Sequence, residues 1–145
     1  MKNIPIGQIL VENGFLKEDQ LEEALEKQRS EPGKKLGDVL LELGYVSETQ
    51  LAQALSIRLK VPFIDLTTTK IDIEAVKKIP EAIAKKNCCV AFQMNDSRLT
   101  VATDDPINFY IFEELKVISG MEIHAMIATR TAINETISKA YSQQT

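Results

Sequence analysis

The sequence copies itself. Residues 6–28 (IGQILVENGFLKEDQLEEALEKQ) and residues 36–58 (LGDVLLELGYVSETQLAQALSIR) align position by position without a gap. Gly7/Gly37, Leu10/Leu40, Glu12/Glu42, Gly14/Gly44, Glu18/Glu48, Gln20/Gln50, Leu21/Leu51, Ala24/Ala54 and Leu25/Leu55 are identical pairs. Ile6/Leu36, Ile9/Val39, Val11/Leu41, Phe15/Tyr45 and Leu16/Val46 keep their apolar character. An internal duplication of this kind means that the first part of the chain is one supersecondary unit used twice, and that neither copy can bury its apolar face alone.

Each copy reads as a helical hairpin. Ile6, Ile9 and Leu10, with Leu36, Val39 and Leu40 in the second copy, fall at helical spacing on one face. Gly14 and Gly44 stand where a left-handed cap is wanted, since glycine has no Cβ to clash there. A second helix follows, and Ser47 with Gln50 makes a capping box. Lys17 holds the equivalent place in the first copy and cannot accept the cap bond, so that helix start is expected to be less well defined. Leu21, Ala24, Leu25 and Leu51, Ala54, Leu55 supply the expected buried stripe, with Leu10 and Leu40 in the same shared core. Glu31-Pro32-Gly33-Lys34 is a turn between the copies. The result is a four-helix subdomain over residues 1–61.

Residues 62–145 change period. Pro62 ends the fourth helix, and residues 63–66 form an extended link. Residues 71–79 read as a helix, and Pro80 suits the first turn of another that ends near Asn87. Residues 88–94 and 98–103 are strand-like around a turn at Asn95-Asp96-Ser97. Ile107, Tyr110, Ile111, Leu115 and Ile118 make a helical face that Gly120 should end. Met121, Ile123, Ala125 and Ile127 alternate with Glu122, His124 and Met126 as in a half-buried strand. A last helix runs from about Arg130 to Tyr141. The fold class is therefore α+β: a duplicated helical-hairpin subdomain, then a small three-stranded sheet with packed helices. A β-hairpin followed by a right-handed helical crossover to the third strand is the expected topology.

Chemistry is sparse. With 17 Lys plus Arg against 21 Asp plus Glu the net charge is −4, which argues against a general nucleic-acid binder. No apolar run approaches the length of a spanning helix, and the start MKNIPIGQ lacks the apolar core of a signal peptide, so direct membrane insertion is not expected. The cysteines, Cys88 and Cys89, are adjacent, which excludes a disulfide framework and a four-cysteine zinc site and fits a reducing cytoplasm. On a strand they should point to opposite faces, one inward. No GxxxxGK[ST] loop and no GxGxxG after a strand are present. His124, the single histidine, has no nucleophile or acidic partner in sequence and reads as a strand-surface residue. Asp104 and Asp105 precede Pro106, and one of them is expected to cap the helix that Pro106 begins rather than to hold a metal. Neither a catalytic group nor a metal ligand set is expected, and no cofactor.

Gly7 and Gly37 ask for more. Each lies at the start of a helix, where glycine costs up to about 1 kcal/mol against alanine. Close helix packing explains such a glycine, as does a helix that starts later than the spacing suggests. So does a flat ligand or a partner backbone lying on the helix start, and two equivalent sites would suit a ligand with two equivalent halves. The residues alone leave these readings open.

The tandem pattern [IL]-G-x-x-[LV]-[LV]-x-x-G-x(6)-L-x(3)-L resembles the N-terminal region of the ATPases of bacterial type II secretion and type IV pilus assembly. VPFIDL, LTVATDDP and SGMEIHAMIATRTAINETISKAY in the second half are also similar to that region, so the resemblance covers about residues 6–141. It implies a cytoplasmic module, peripheral to the inner membrane through its partners. Those partners would be the cytoplasmic part of a membrane platform protein and a motor ATPase domain supplied in cis or in trans. This chain is then either part of such an ATPase or a stand-alone relative. Some relatives with the tandem motif complete resemble cyclic di-GMP receptors. Carried over residue by residue, the ligand positions would be Gly7, Leu10, Gly14, Leu25 and Gln28 in the first copy. In the second they would be Lys35, Leu36, Gly37, Leu40, Gly44, Leu55 and Arg58. The complete motif has Arg before the leucine-glycine pair and Gln after the last leucine. Here Pro5 and Lys35 stand for the arginines and Arg58 for the second glutamine. Proline offers no charge or donor, and lysine lacks the planar fork that pairs with guanine or phosphate. The departures fall on the positions that would make the polar contacts.

Overall fold

The computed structural model describes residues 6–106 and 109–142. Four helices fill the first part: α1 (Ile6–Glu12), α2 (Glu18–Ser30), α3 (Leu36–Leu43) and α4 (Glu48–Leu59). Gly14 and Gly44 take left-handed conformations, φ 76° and 75°. Each closes the same cap: the N–H of Phe15 donates to Leu10 O at 2.9 Å and that of Tyr45 to Leu40 O at 3.1 Å, while the glycine N–H groups donate to Val11 and Leu41. That is the Schellman arrangement, repeated. The N-termini of the second helices differ. Ser47 Oγ accepts from Gln50 N and Gln50 Oε1 from Ser47 N, both halves of the box. Lys17 keeps the half that needs no acceptor at the cap, its N–H donating to Gln20 Oε1 at 3.0 Å, while Asp19 Oδ1 takes the Gln20 N–H. This suffices to start α2 at the position equivalent to α4.

The hairpins exchange partners. α1 packs against α4 and α2 against α3, as a twofold relation between the copies requires. Ile9, Leu10, Leu16 and Ala24 meet Val39, Leu40, Val46 and Ala54 in one core. One expectation fails here. Leu21 and Leu51 are half-buried at the margin of that core, and Leu25 and Leu55, also half-buried, lie outside it. The cause is length: α1 and α3, of 7 and 8 residues, cannot cover α2 and α4, of 13 and 12. The alanines take the buried positions and the last leucines of each stripe outrun their cover.

The chain divides into two compact units, Met1–Lys60 and Val61–Thr145. The second holds α5 (Ile73–Val76), α6 (Glu81–Asn87), β1 (Cys89–Met94), β2 (Arg98–Thr103), α7 (Phe109–Ser119), β3 (Glu122–Ile127) and α8 (Arg130–Ser142). β1 and β2 form the antiparallel hairpin, with Asn95 Oδ1 accepting the N–H groups of Ser97 and Arg98 in the turn. After α7 the chain returns as β3, parallel to β2, so the sheet order is β1-β2-β3. The link at Pro62–Ile64 lies beside the end of β3, bridging Phe63 to Ile127. Phe92, Leu99, Val101, Leu115, Ile133 and Ile137 are fully buried between the sheet and its helices. Phe92 sits at a bulge between the Ala91 and Gln93 pairings, and its carbonyl accepts from Asp72 N at 2.8 Å, which anchors the start of α5.

Several local expectations are corrected. The helix expected over residues 71–79 is the single turn α5, because Asp72 caps it (Oδ1 to Glu74 N, 3.0 Å) and Pro80 forbids extension. Cys88 is not in the strand: it ends α6 in a left-handed conformation, φ 50°, and Cys89 alone enters β1. The buried face of α7 is Ile111, Phe112 and Leu115, while Tyr110 and Ile118 face solvent; Ile107 lies outside the described residues. Asp104 binds Arg130 Nε at 2.9 Å, tying the end of β2 to α8; the helix start expected at Pro106 involves residues 107 and 108, which lie outside the described residues.

Candidate functional site

The positions singled out by the tandem motif sort into three groups. Leu10 and Leu40 are fully buried core, and Gly14 and Gly44 are exposed caps. Gly7 and Gly37 face leucines across the hairpin. A Cβ on Gly7 would stand 2.6 Å from Leu21 Cδ1 and 3.3 Å from Leu36 Cδ2, and one on Gly37 3.0 Å from Leu51 Cδ2. Helix packing therefore accounts for both glycines, and Leu21 and Leu51 are the residues that the sequence pattern did not connect to them. The third group is open to water in part: Leu25, Gln28, Leu36, Leu55 and Arg58 are half-buried, and Lys35, at the N-terminus of α3, is exposed. Pro5 lies outside the described residues.

Polar contacts concentrate where the first copy hands over to the second. Gln28 Nε2 donates to Lys34 O at 3.0 Å across the inter-copy turn, which brings the end of one motif to the start of the next. Lys34 Nζ donates to Glu42 Oε1 and lies 3.7 Å from Glu31, while Lys27 Nζ stands 3.9 Å from Glu42. The hydrogen bond with Lys34 holds the Glu42 carboxyl below its ordinary range and raises Lys34 in turn. Nothing in the spacing of these residues announced that network, because it closes only when the turn folds. Tyr45 Oη donates to Glu23 Oε2 at 2.8 Å, a bond that Phe15 cannot make in the other copy. Arg58 carries a buried Nε with no hydrogen-bond partner among the described residues. An unmet guanidinium donor is costly unless an acceptor reaches it.

The groups that could suggest catalysis are occupied otherwise. His124 is exposed on β3. Burial pushes the Cys89 thiol up to about 12, far from a reactive thiolate. Tyr141 Oη donates to Ile79 O at 2.6 Å, and burial raises it to about 12. Among the described residues no group of His, Cys, Asp and Glu could hold a metal ion, and no helix is long and apolar enough to cross a membrane. An open cavity of about 360 Å3 lies between the loop at Leu66–Ile73 and α8, with Thr67, Thr136, Glu135 and Lys139 as its polar lining.

A family model for the MshEN domain matches residues 59–145, more than half of the chain. The chain belongs to the MshEN domain family. Its structure is similar to that of MshE with cdg, cyclic di-GMP, at 33% identity and a TM-score of 0.82, covering 95% of this chain and 99% of that one. That likeness takes in the duplicated unit, which lies almost wholly outside the family match. The N-terminal domain of XpsE shares the fold at 22% identity, with a TM-score of 0.71 over 96% of this chain and 98% of that one. Among curated proteins the type IV pilus assembly ATPase PilB of Myxococcus xanthus (strain DK1622) is 29% identical over 139 residues, 96% of this chain. The chain spans about a quarter of the length of that relative, 24%.

Proposed function

We propose that this chain is a non-catalytic docking and regulatory module of a type II secretion or type IV pilus assembly ATPase. The observation that carries the reading is the likeness to PilB, which runs along 96% of this chain but only 24% of that protein, in a sequence with no phosphate-cradling loop. The module binds the cytoplasmic part of the inner-membrane platform protein and holds a motor domain, in cis or in trans, at the membrane from the cytoplasmic side. Nucleotide hydrolysis belongs to that motor. Calorimetric titration of this chain with the platform protein's cytoplasmic part should give a saturable one-to-one complex. Absence of binding at concentrations of about 100 μM, where a specific contact of ordinary size is saturated, would remove the docking role.

A second reading is favoured by the resemblance to MshE with cyclic di-GMP and by the unmet Nε of Arg58 at a motif position. The tandem unit then binds cyclic di-GMP along its open motif positions, Leu25, Gln28, Lys35, Leu36, Leu55 and Arg58, with Gly7, Leu10, Gly14, Gly37, Leu40 and Gly44 holding the hairpins that present them. Losing a charged hydrogen bond costs about 1.5–3 kcal/mol, so the exchanges at Pro5 and Lys35 weaken that site by one to two orders of magnitude each. Docking is therefore the main role and ligand binding the weaker one. The two are compatible, because a ligand that favours one arrangement of the module changes how it docks.

A further inference from the structure

We propose that the cavity between residues 66–73 and α8 binds a small zwitterion with an apolar tail, the chemistry of a free aliphatic α-amino acid. Its lining belongs wholly to the sheet unit, so it owes nothing to the tandem motif. Leu66, Ile71 and Ile73 form one wall, and α8 presents Ala132, Thr136 and Ala140, four residues apart on one face, as the other. The two alanines leave room on either side of Thr136. A volume of about 360 Å3 falls at the small end of ligand pockets. Apolar walls of this kind suit an aliphatic tail.

Two observations say what the tail carries. Thr136 is only 9% exposed. A threonine hydroxyl inside a helix ordinarily bonds a carbonyl three or four residues back. The Thr136 hydroxyl makes no hydrogen bond among the described residues, whereas that of Thr67, on the other wall, donates to Asp65 Oδ1. A nearly buried hydroxyl in that state is costly unless a ligand atom meets it. The second observation concerns charge. Glu135 and Lys139 have the order and spacing of a helix ion pair, the one that Glu81 and Lys85 make on α6 at 2.8 Å. Among the described residues no ion pair joins Glu135 to Lys139, and neither pairs elsewhere. The rim therefore presents an anion and a cation one helical turn apart, with Thr136 between them in sequence. An ammonium on Glu135 and a carboxylate on Lys139 and Thr136 satisfy all three groups. An α-amino acid carries both charges on one carbon and leaves its side chain to the apolar wall. A ligand of single charge leaves one rim group unused, and the interior of a peptide supplies neither terminal charge.

Titration of the whole chain with L-leucine to about 10 mM, followed by amide chemical shifts, should give saturable changes in residues 66–73 and α8, with a Kd of about 0.1–1 mM. Glu135→Gln and Lys139→Gln, both at exposed positions, should each weaken binding about tenfold, as should Thr136→Val, which keeps the side chain's shape. Isocaproate, which lacks the ammonium, and isoamylamine, which lacks the carboxylate, should bind at least tenfold more weakly than leucine. Ala132→Leu, which fills the cavity, should abolish binding, with an unchanged unfolding midpoint showing that the fold is kept. Absence of saturable shifts overturns the proposal. So do equal affinities for leucine, isocaproate and isoamylamine, which would make the cavity an apolar cleft without polar selectivity. An apolar peptide that shifts the same amides where leucine does not also overturns it, because the cavity then seats a side chain of a partner.

Discussion

In the helical unit Leu21, Leu25, Leu51 and Leu55 remain half in water, whereas in the sheet unit Phe92, Leu99, Ile133 and Ile137 are sealed on every side. The two units use their apolar residues differently. The sheet is covered by helices that its own segment supplies, and its core closes within that unit. The helical unit has two copies of a hairpin whose first helix is too short for its second. Each copy therefore leaves leucine area at its margin, beside Gln28 in one and Arg58 in the other. The nucleotide recognition proposed above would take place at this margin, whereas the core of the sheet unit is closed on itself.

The largest test of that division is Phe92→Ala. It removes the biggest fully buried side chain and should cost about 3–5 kcal/mol in denaturant or thermal unfolding. A smaller loss would mean that the sheet core is less sealed than its burial indicates. Next comes a contrast within the repeats. Leu40→Ala, at a fully buried site, should cost about 2–5 kcal/mol, and Leu25→Ala or Leu55→Ala only about 1–2, since much of their area never leaves water. Equal costs would restore those leucines to the core and erase the distinction between the units. Tyr141→Phe leaves the Ile79 carbonyl without its donor inside the sheet unit and should cost about 1–2 kcal/mol. The smallest effect sharpens the symmetry of the repeats. Gly14→Ala and Gly44→Ala should each cost about 1 kcal/mol, and by equal amounts, because both hold a left-handed cap with open space around it.

Much of this was legible in the sequence because duplication supplies its own control. A helix-cap glycine read once is a guess; Gly14 and Gly44 in equivalent places are a structure. The strand periods likewise revealed β1, β2 and β3, since alternation at positions such as Ile123 and Ala125 needs no tertiary knowledge. Burial of Leu25 and Leu55 was misread because periodicity marks a face and not the length of helix available to cover it. Tyr110 and Ile118 were misread for the same reason, their face being assigned inward from apolarity alone. The site was less legible still. Gly7 and Gly37 required their partners Leu21 and Leu51 before packing could be told from ligand access. The Lys34–Glu42 bond depends on a turn that brings together residues from either side of α3's start. The departures at Lys35 and Arg58, by contrast, needed only the sequence.

The measurement that reaches the centre of this account is a calorimetric titration of the unaltered chain with cyclic di-GMP. A docking module whose motif has lost its arginines should bind weakly, with a Kd above about 10 μM, or show no heat at all. Submicromolar binding would contradict it: the half-exposed margin of the repeats would then be a working nucleotide site, and sensing rather than docking would be the primary function.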